Sequence, residues 1–215
     1  MIVEEIMKRD VISLSKDHSL RDAIRVMNEN NIRHIPITDE KRRLIGLVTD
    51  RDLKEAGPSS LLHDEKDNIL DKPLSSIMKT HLITRHPLDF VEEVAAIFYE
   101  KKIGCLPIVS GEKLVGIITE TDIFHTLVQL TGVHWPSSRI EIKVPNVQGK
   151  ISEVVSCIEK HHVNILSILV HPDKKDENYK IMVIRVQTIN PGKIIADLKK
   201  NGHEVQWPHF SGSLS

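Results

Sequence analysis

Thr49 and Asp52 stand three residues apart where an apolar run gives way to a polar, helix-forming stretch, and Thr119 and Asp122 stand in the same relation. Each pair closes a Gly-x-x-Thr-x-x-Asp segment, at 46–52 and 116–122. A threonine hydroxyl at a strand-to-helix turn can bond a phosphate or the free amides of the first helical turn. An aspartate three residues on can accept two hydrogen bonds from vicinal hydroxyls, such as those of a ribose. The helix N-terminus adds unpaired N–H groups and the positive end of its dipole, which favour an anion. One such pair reads equally well as a plain helix cap. Glycine, threonine and aspartate recurring together in two copies favour a binding function over capping alone.

The pairs belong to a longer duplication. Met7 and Met78, Ile32 and Ile103, and Pro36 and Pro107 are each 71 residues apart, while the Gly-x-x-Thr-x-x-Asp segments are 70 apart. A small unit repeated with a polar pair at the same place builds a pseudo-symmetric pair with a cleft between. Each copy reads strand, helix, strand, strand, helix. In the first copy, 11–14 predicts a short strand, and Leu20, Ala23, Ile24 and Met27 share one helical face. Strands at 32–38 and 44–49 follow, and a helix begins near Asp50. In the second copy 82–84 is the strand, and Val91, Val94, Ala95 and Phe98 face inward, with Asp89 and Glu92 spaced as a capping box. Strands at 105–109 and 114–119 follow. The repeats are expected at 1–60 and 76–131, joined by a linker over 61–75 that the turn-rich run from Ala56 to Ser60 introduces.

After a second linker at 132–138 the pattern changes. Residues 139–208 predict strand 139–144, a helix with Ile151, Val154, Val155 and Ile158 inward, strands 164–171 and 179–187, a helix with Pro191 in its first turn, and strand 203–207. This βαββαβ order is ferredoxin-like, and the fold class is mixed α/β (α+β). Residues 209–215 are a tail.

Composition narrows the function. A chain of 215 residues with 40% hydrophobic and 27% charged residues is ordinary for a globular protein of one or two domains. A net charge of −1 argues against nucleic acid and anionic membranes as partners. No apolar run approaches the roughly 20 residues that span a bilayer, and the first residues lack a secretory pattern, so the expected location is cytoplasmic. The 12 histidines, His63, His81, His86, His125 and the adjacent His161 and His162 among them, form no ligand spacing, and no metal is expected. Cys105 and Cys157 read as core thiols, and Asp17, His18 and Ser19 as a turn into a helix. With no nucleophile–base pair and no Gly-rich phosphate loop, a non-catalytic protein is expected.

The two repeats resemble CBS domains, on Ile6-Met7, Ile35-Pro36-Ile37-Thr38-Asp39, Leu106-Pro107-Ile108-Val109 and the two Gly-x-x-Thr-x-x-Asp segments. The resemblance implies an adenosine ligand, AMP, ADP, ATP or S-adenosylmethionine, held by Thr49 and Asp52 and by Thr119 and Asp122. It also implies phosphate contacts from basic residues before the proline strand, here Arg33 and His34. The second repeat has Gly104 and Cys105 at those positions, so the Thr49–Asp52 cleft reads as the phosphate-binding one and the other as weaker or empty. Arg51 and Lys8 are further candidates for phosphate. Residues 139–208 resemble an ACT domain, on Val144-Pro145-Asn146-x-x-Gly149 and Asn164-Ile165. That implies an amino-acid effector near Asn146 and Gly149, or dimerisation alone. The order of two CBS domains and an ACT domain is similar to the acetoin-utilisation proteins of the B type. It implies a regulator of acetoin or butanediol breakdown, a homodimer, and a protein partner whose identity is unknown.

Overall fold

The computed structural model describes residues 1–56 and 69–208. His63, most of the expected first linker and the expected tail lie outside these. The chain divides into two compact units, Met1–Phe124 and His125–Ser215.

Both repeats build the first unit. The first contributes α1 (Leu20–Asn30), β1 (His34–Thr38), β2 (Leu44–Thr49) and α2 (Asp50–Ala56). The second contributes α3 (Val91–Lys101), β3 (Cys105–Ser110), β4 (Lys113–Thr119) and α4 (Glu120–Leu130), whose end runs past the division. β1–β2 and β3–β4 are antiparallel hairpins. α1 begins with Ser19 and Asp22 each accepting from the other's backbone N–H. α3 lacks the expected capping box. Phe90 occupies its N-cap, and the Asp89 carboxylate accepts instead from the His86 N–H at 2.9 Å. The strand expected at 11–14 shrinks to a single parallel bridge, Leu14 to Ile37, and 82–84 forms no strand, the matching bridge falling one residue later, Arg85 to Ile108. In the first repeat Val11 and Ile12 leave the ladder to line a cavity.

The two cores exchange their leading segments. Val3 and Leu74 hold the same place in the repeat, and both are fully buried. Val3 and Met7 pack with Val94, Phe98, Leu106, Ile108 and Ile118 of the second repeat. Leu74, Ile77 and Met78 pack with Leu20, Ala23, Ile35, Ile37 and Val48 of the first. Backbone bonds tie each arm down: Val3 N–H to the Asp89 carbonyl, and Leu74 N–H to the His18 carbonyl. The boundaries expected at 60 and 76 follow the repeat in sequence, and the cores interleave across them. Further along each arm, Lys79 exchanges two backbone bonds with Leu47, and Lys8 exchanges two with Ile117.

This exchange accounts for the glycine that opens each Gly-x-x-Thr-x-x-Asp segment. A Cβ on Gly46 would lie 2.7 Å from the Met78 sulfur, and one on Gly116 would lie 2.5 Å from the Met7 sulfur. The carbonyl oxygens of Lys79 and Lys8 would stand 3.3 and 3.2 Å away, which blocks retreat in that direction. Gly116→Ala is therefore expected to cost about 1–3 kcal/mol by overpacking, read as a lowered midpoint in urea.

The second unit is a four-stranded antiparallel sheet of β5 (Ser138–Pro145), β6 (Ile165–Pro172), β7 (Tyr179–Val186) and β8 (Glu204–Trp207), in the order β6-β7-β5-β8. With α5 (Lys150–Glu159) and α6 (Gly192–Lys200) it gives the expected βαββαβ order. β5 alternates, burying Ile140, Ile142 and Val144 and turning Arg139, Glu141 and Lys143 away. The buried face meets Met182, Ile184 and Val186 of β7, Val154, Cys157 and Ile158 of α5, and Ile194, Ile195 and Leu198 of α6. Ile151, expected inward, is exposed in the first turn of α5, although its spacing puts it on the same side as Val154 and Ile158. Pro191 caps α6 from outside, one residue earlier than expected. Among the described residues no helix is long and apolar enough to cross a membrane.

Candidate functional site

Thr49 ends β2, and Asp52 lies in the first turn of α2. The Thr49 N–H and hydroxyl both donate to Asp52 Oδ2, at 2.8 and 2.7 Å, and the Asp52 N–H donates back to Thr49 Oγ1 at 3.2 Å. Thr119 and Asp122 repeat this at 2.8, 2.6 and 3.4 Å. Both pairs are thus capping boxes with aspartate in the reciprocal place. Ser19 and Asp22 make the same arrangement. Capping uses both threonine hydroxyls and one oxygen of each aspartate.

The second carboxylate oxygen separates the repeated pairs from the ordinary cap. Lys79 Nζ lies 2.8 Å from Asp52 Oδ1, and Lys8 Nζ lies 3.8 Å from Asp122 Oδ1. The Asp52 and Asp122 side chains are 7% and 14% exposed, against 33% for Asp22, which pairs with Arg25 on its own helix. Lys8 and Lys79 are themselves 71 residues apart, and each reaches the aspartate of the other repeat because the exchanged arms carry it there. Sequence reasoning flagged Lys8 without a position and missed Lys79. The repeat offset was the signal that could have found it.

Burial works to raise the Asp52 pKa, but hydrogen bonds from Lys79 and Thr49 outweigh it and hold the carboxylate below its ordinary value. A depressed folded pKa contributes stability that is present above the unfolded aspartate value near ~3.9 and is lost as pH falls through the folded value. Lys79→Met removes one of those bonds. Acid unfolding followed by circular dichroism is therefore expected to begin at a higher pH in Lys79→Met than in the native chain.

A cavity of about 460 Å³ opens between the repeats at the Thr119 end of the unit, lined by Lys8, Val11, Ile12, Arg33, His34 and Thr119 among others. This corrects the sequence expectation. Arg33 and His34 share a cavity with Thr119, and neither Thr49 nor Asp52 lines it. His34 is the cross-strand neighbour of Thr49, yet its ring reaches the second repeat, where a Cβ on Gly104 would stand 3.2 Å from His34 Nε2. Gly104 is thus the space His34 occupies, rather than the sign of a vacant phosphate site. Burial lowers the His34 pKa against the opposing pull of Asp50, which favours the neutral ring at pH 7. Val11 also touches the apolar cluster of Leu47, Cys105 and Ile117. Burial pushes the Cys105 thiol up to about 12, so it is no thiolate.

In the second unit the Asn146 N–H donates to the Asn178 carbonyl at 2.7 Å. Gly149 caps α5 at φ 89°, and a side chain there would meet open space. Backbone conformation, not close approach of a neighbour, calls for this glycine. Asn164 Nδ2 donates to Gln187 Oε1 at 3.0 Å, pinning the start of β6 to the end of β7.

Comparison with known proteins agrees with this architecture. The CBS domain family matches residues 3–59 and 74–129, and the ACT domain family matches 138–203. A CBS domain-containing protein of Dictyostelium discoideum is 29% identical over 135 residues, 60% of this chain and 93% of that protein. Over 62% of this chain and 94% of its own, a Vibrio cholerae protein named for acetoin utilization superposes with a TM-score of 0.55 at 34% identity. The CBS domain pair of protein MJ0100, solved with 5′-methylthioadenosine and S-adenosyl-L-methionine, superposes at 0.52 with 28% identity, over 60% of this chain and 96% of its own. The chain spans only 23% of the homoserine O-acetyltransferase of Methanosalsum zhilinae, to which it is also similar. Duplicated hairpins, exchanged arms and capped aspartates thus come with a family match over both repeats, and this chain belongs to the CBS-domain family, as a tandem CBS pair followed by an ACT domain.

Proposed function

We propose that the protein is a non-catalytic sensor that binds an adenosine ligand between its CBS repeats. The observation that carries this reading is the cavity at Thr119, where Lys8, Arg33 and His34 converge beside the capped aspartate Asp122. Arg33 and Lys8 would hold a phosphate, and His34 would gain a proton as that anion binds. Asp122 Oδ1 would take the ribose hydroxyls, and Val11 and Ile12 would face the purine. The adenosine compounds bound by the CBS pair of MJ0100 support this ligand class. Thr49 and Asp52 would form a second, less open site.

Binding acts on a partner only through unequal affinity for two states of the protein. The readout is a homodimer surface or a protein partner of unknown identity, and the loop with Asn146 and Gly149 would admit an amino acid as second effector. The likeness to a Vibrio cholerae protein named for acetoin utilization supports a role in acetoin and butanediol catabolism, and the protein would act in the cytoplasm. Thermal melting with AMP, ADP, ATP and S-adenosylmethionine tests the binding claim: one of them is expected to raise the melting temperature of the native chain but not of Asp122→Ala. A protein that no adenosine compound stabilises would instead be an oligomerisation scaffold.

A further inference from the structure

A second cavity, of about 390 Å³, lies within the first repeat, between the end of α1 and the start of α2. Asn31, Ile32 and Arg33 line both it and the larger cavity at Thr119, so the two meet along the turn that leads into β1. Ile24, Met27 and Leu53 give it an apolar wall, and Asn28, Asp50 and Lys54 give it polar groups. Lys54 Nζ is held by Asp50 Oδ2 at 3.2 Å. Arg33, on the shared border, makes no ion pair among the described residues. The second repeat does not carry this lining. By the repeat offset Met27, Asn28, Asn31, Arg33 and Lys54 correspond to Phe98, Tyr99, Lys102, Gly104 and Phe124. The cavity is therefore a property of the first repeat and not of the repeated unit.

We infer that this cavity is a subsite for a sugar joined to the phosphates of the adenosine ligand, so that the ligand class is an adenosine diphosphate ester with an ADP-ribosyl unit or a similar sugar. This rests on the sensor reading above and deepens it. With adenosine in the larger cavity and its phosphates at Arg33, the next group along the ligand enters beside Asn31. A bare terminal phosphate suits that place poorly. It would meet the Asp50 carboxylate and the apolar wall, and the Lys54 ammonium could bond it only by leaving Asp50. A sugar suits it well. The Asn28 and Asn31 amides can bond its hydroxyls, and a carboxylate accepts several bonds, so Asp50 can take a hydroxyl without giving up Lys54. Ile24, Met27 and Leu53 can cover the apolar face of the ring, as the walls of small-ligand pockets do.

Calorimetric titration of the full chain with AMP, ADP, ATP, ADP-ribose and NAD+ tests this. ADP-ribose is expected to bind about tenfold tighter than ADP, the worth of one or two neutral hydrogen bonds with some apolar contact, and ATP no tighter than ADP. Asn28→Trp, at an exposed position of α1, blocks the subsite. It is expected to bring ADP-ribose down to the affinity of ADP, with AMP, which ends at Arg33, bound as before. Ile24→Phe narrows the subsite from its inner wall if the tryptophan turns into solvent. NAD+ binding as tightly as ADP-ribose would support the subsite with a dinucleotide as the source of the sugar. NAD+ binding more weakly, with ADP-ribose still above ADP, would support it with a sugar nucleotide as the source. ADP-ribose binding no tighter than ADP, or a gain that survives both substitutions, would overturn the subsite and leave the sensor reading standing. Absence of binding of all five compounds to the native chain would overturn both.

Discussion

Leu74→Ala is expected to destabilise the first repeat, although Leu74 opens the second in sequence. Its side chain is fully buried against Leu20, Ala23, Ile35 and Ile37, and deleting a buried leucine to alanine costs about 2–5 kcal/mol. The local consequence is specific. Amide hydrogen exchange is expected to quicken most in α1 and β1, which Leu74 covers, and less in α3 and β3, which Val3 covers. Val3→Ala carries the mirror-image pattern. A Leu74→Ala protein that exchanges fastest in α3 and β3 would show that each repeat completes its own core and would refute the exchange of arms.

The second large effect concerns ligand binding. A ligand at 100 times its dissociation constant adds about 2.7 kcal/mol of stability, a rise of a few degrees for a domain of this size. Asp122→Ala is expected to abolish that rise. The substitution also removes a cap, which alone costs about 0.5–2 kcal/mol, so the reading is the ligand-induced shift and not the melting temperature without ligand. Asp22→Ala supplies the control, because it removes the same kind of capping box outside the cleft. It is expected to melt lower yet keep the full shift. A ligand-induced rise that persists in Asp122→Ala would sink the assignment of Asp122 to the site. Arg33→Ala is expected to narrow the preference for AMP over adenosine, which separates phosphate recognition from ribose recognition.

Much of this protein is legible in one dimension because its signals are local. Leu20, Ala23 and Met27 mark a buried helical face by spacing alone, and the alternation of Ile140, Ile142 and Val144 marks a half-buried strand. Thr49 with Asp52 and Thr119 with Asp122 announce themselves by recurrence, and the structure shows both pairs capping the helices that follow them. The 71-residue offset also held the equivalence of Lys8 and Lys79, and of Val3 and Leu74. The strand at 11–14 misled because Val11 and Ile12 line a cavity and only Leu14 bridges to a strand. The box at Asp89 and Glu92 misled because Asp89 found a nearer donor in the His86 N–H.

By itself, then, the sequence determined the element order of both units, the duplicated Gly-x-x-Thr-x-x-Asp turns and the family to which they belong. These depend on hydrophobic period, turn chemistry and repetition, all of which act over short stretches of chain. The tertiary structure alone decided which halves meet. It gathered Arg33 and His34 with Thr119 in one cavity, put the His34 ring in the space left at Gly104, and brought Lys79 to Asp52 while holding Lys8 further from Asp122. The physical reason is the exchange of arms. Each leading segment buries its apolar residues in the other repeat's core, and no local pattern distinguishes that packing from burial in its own.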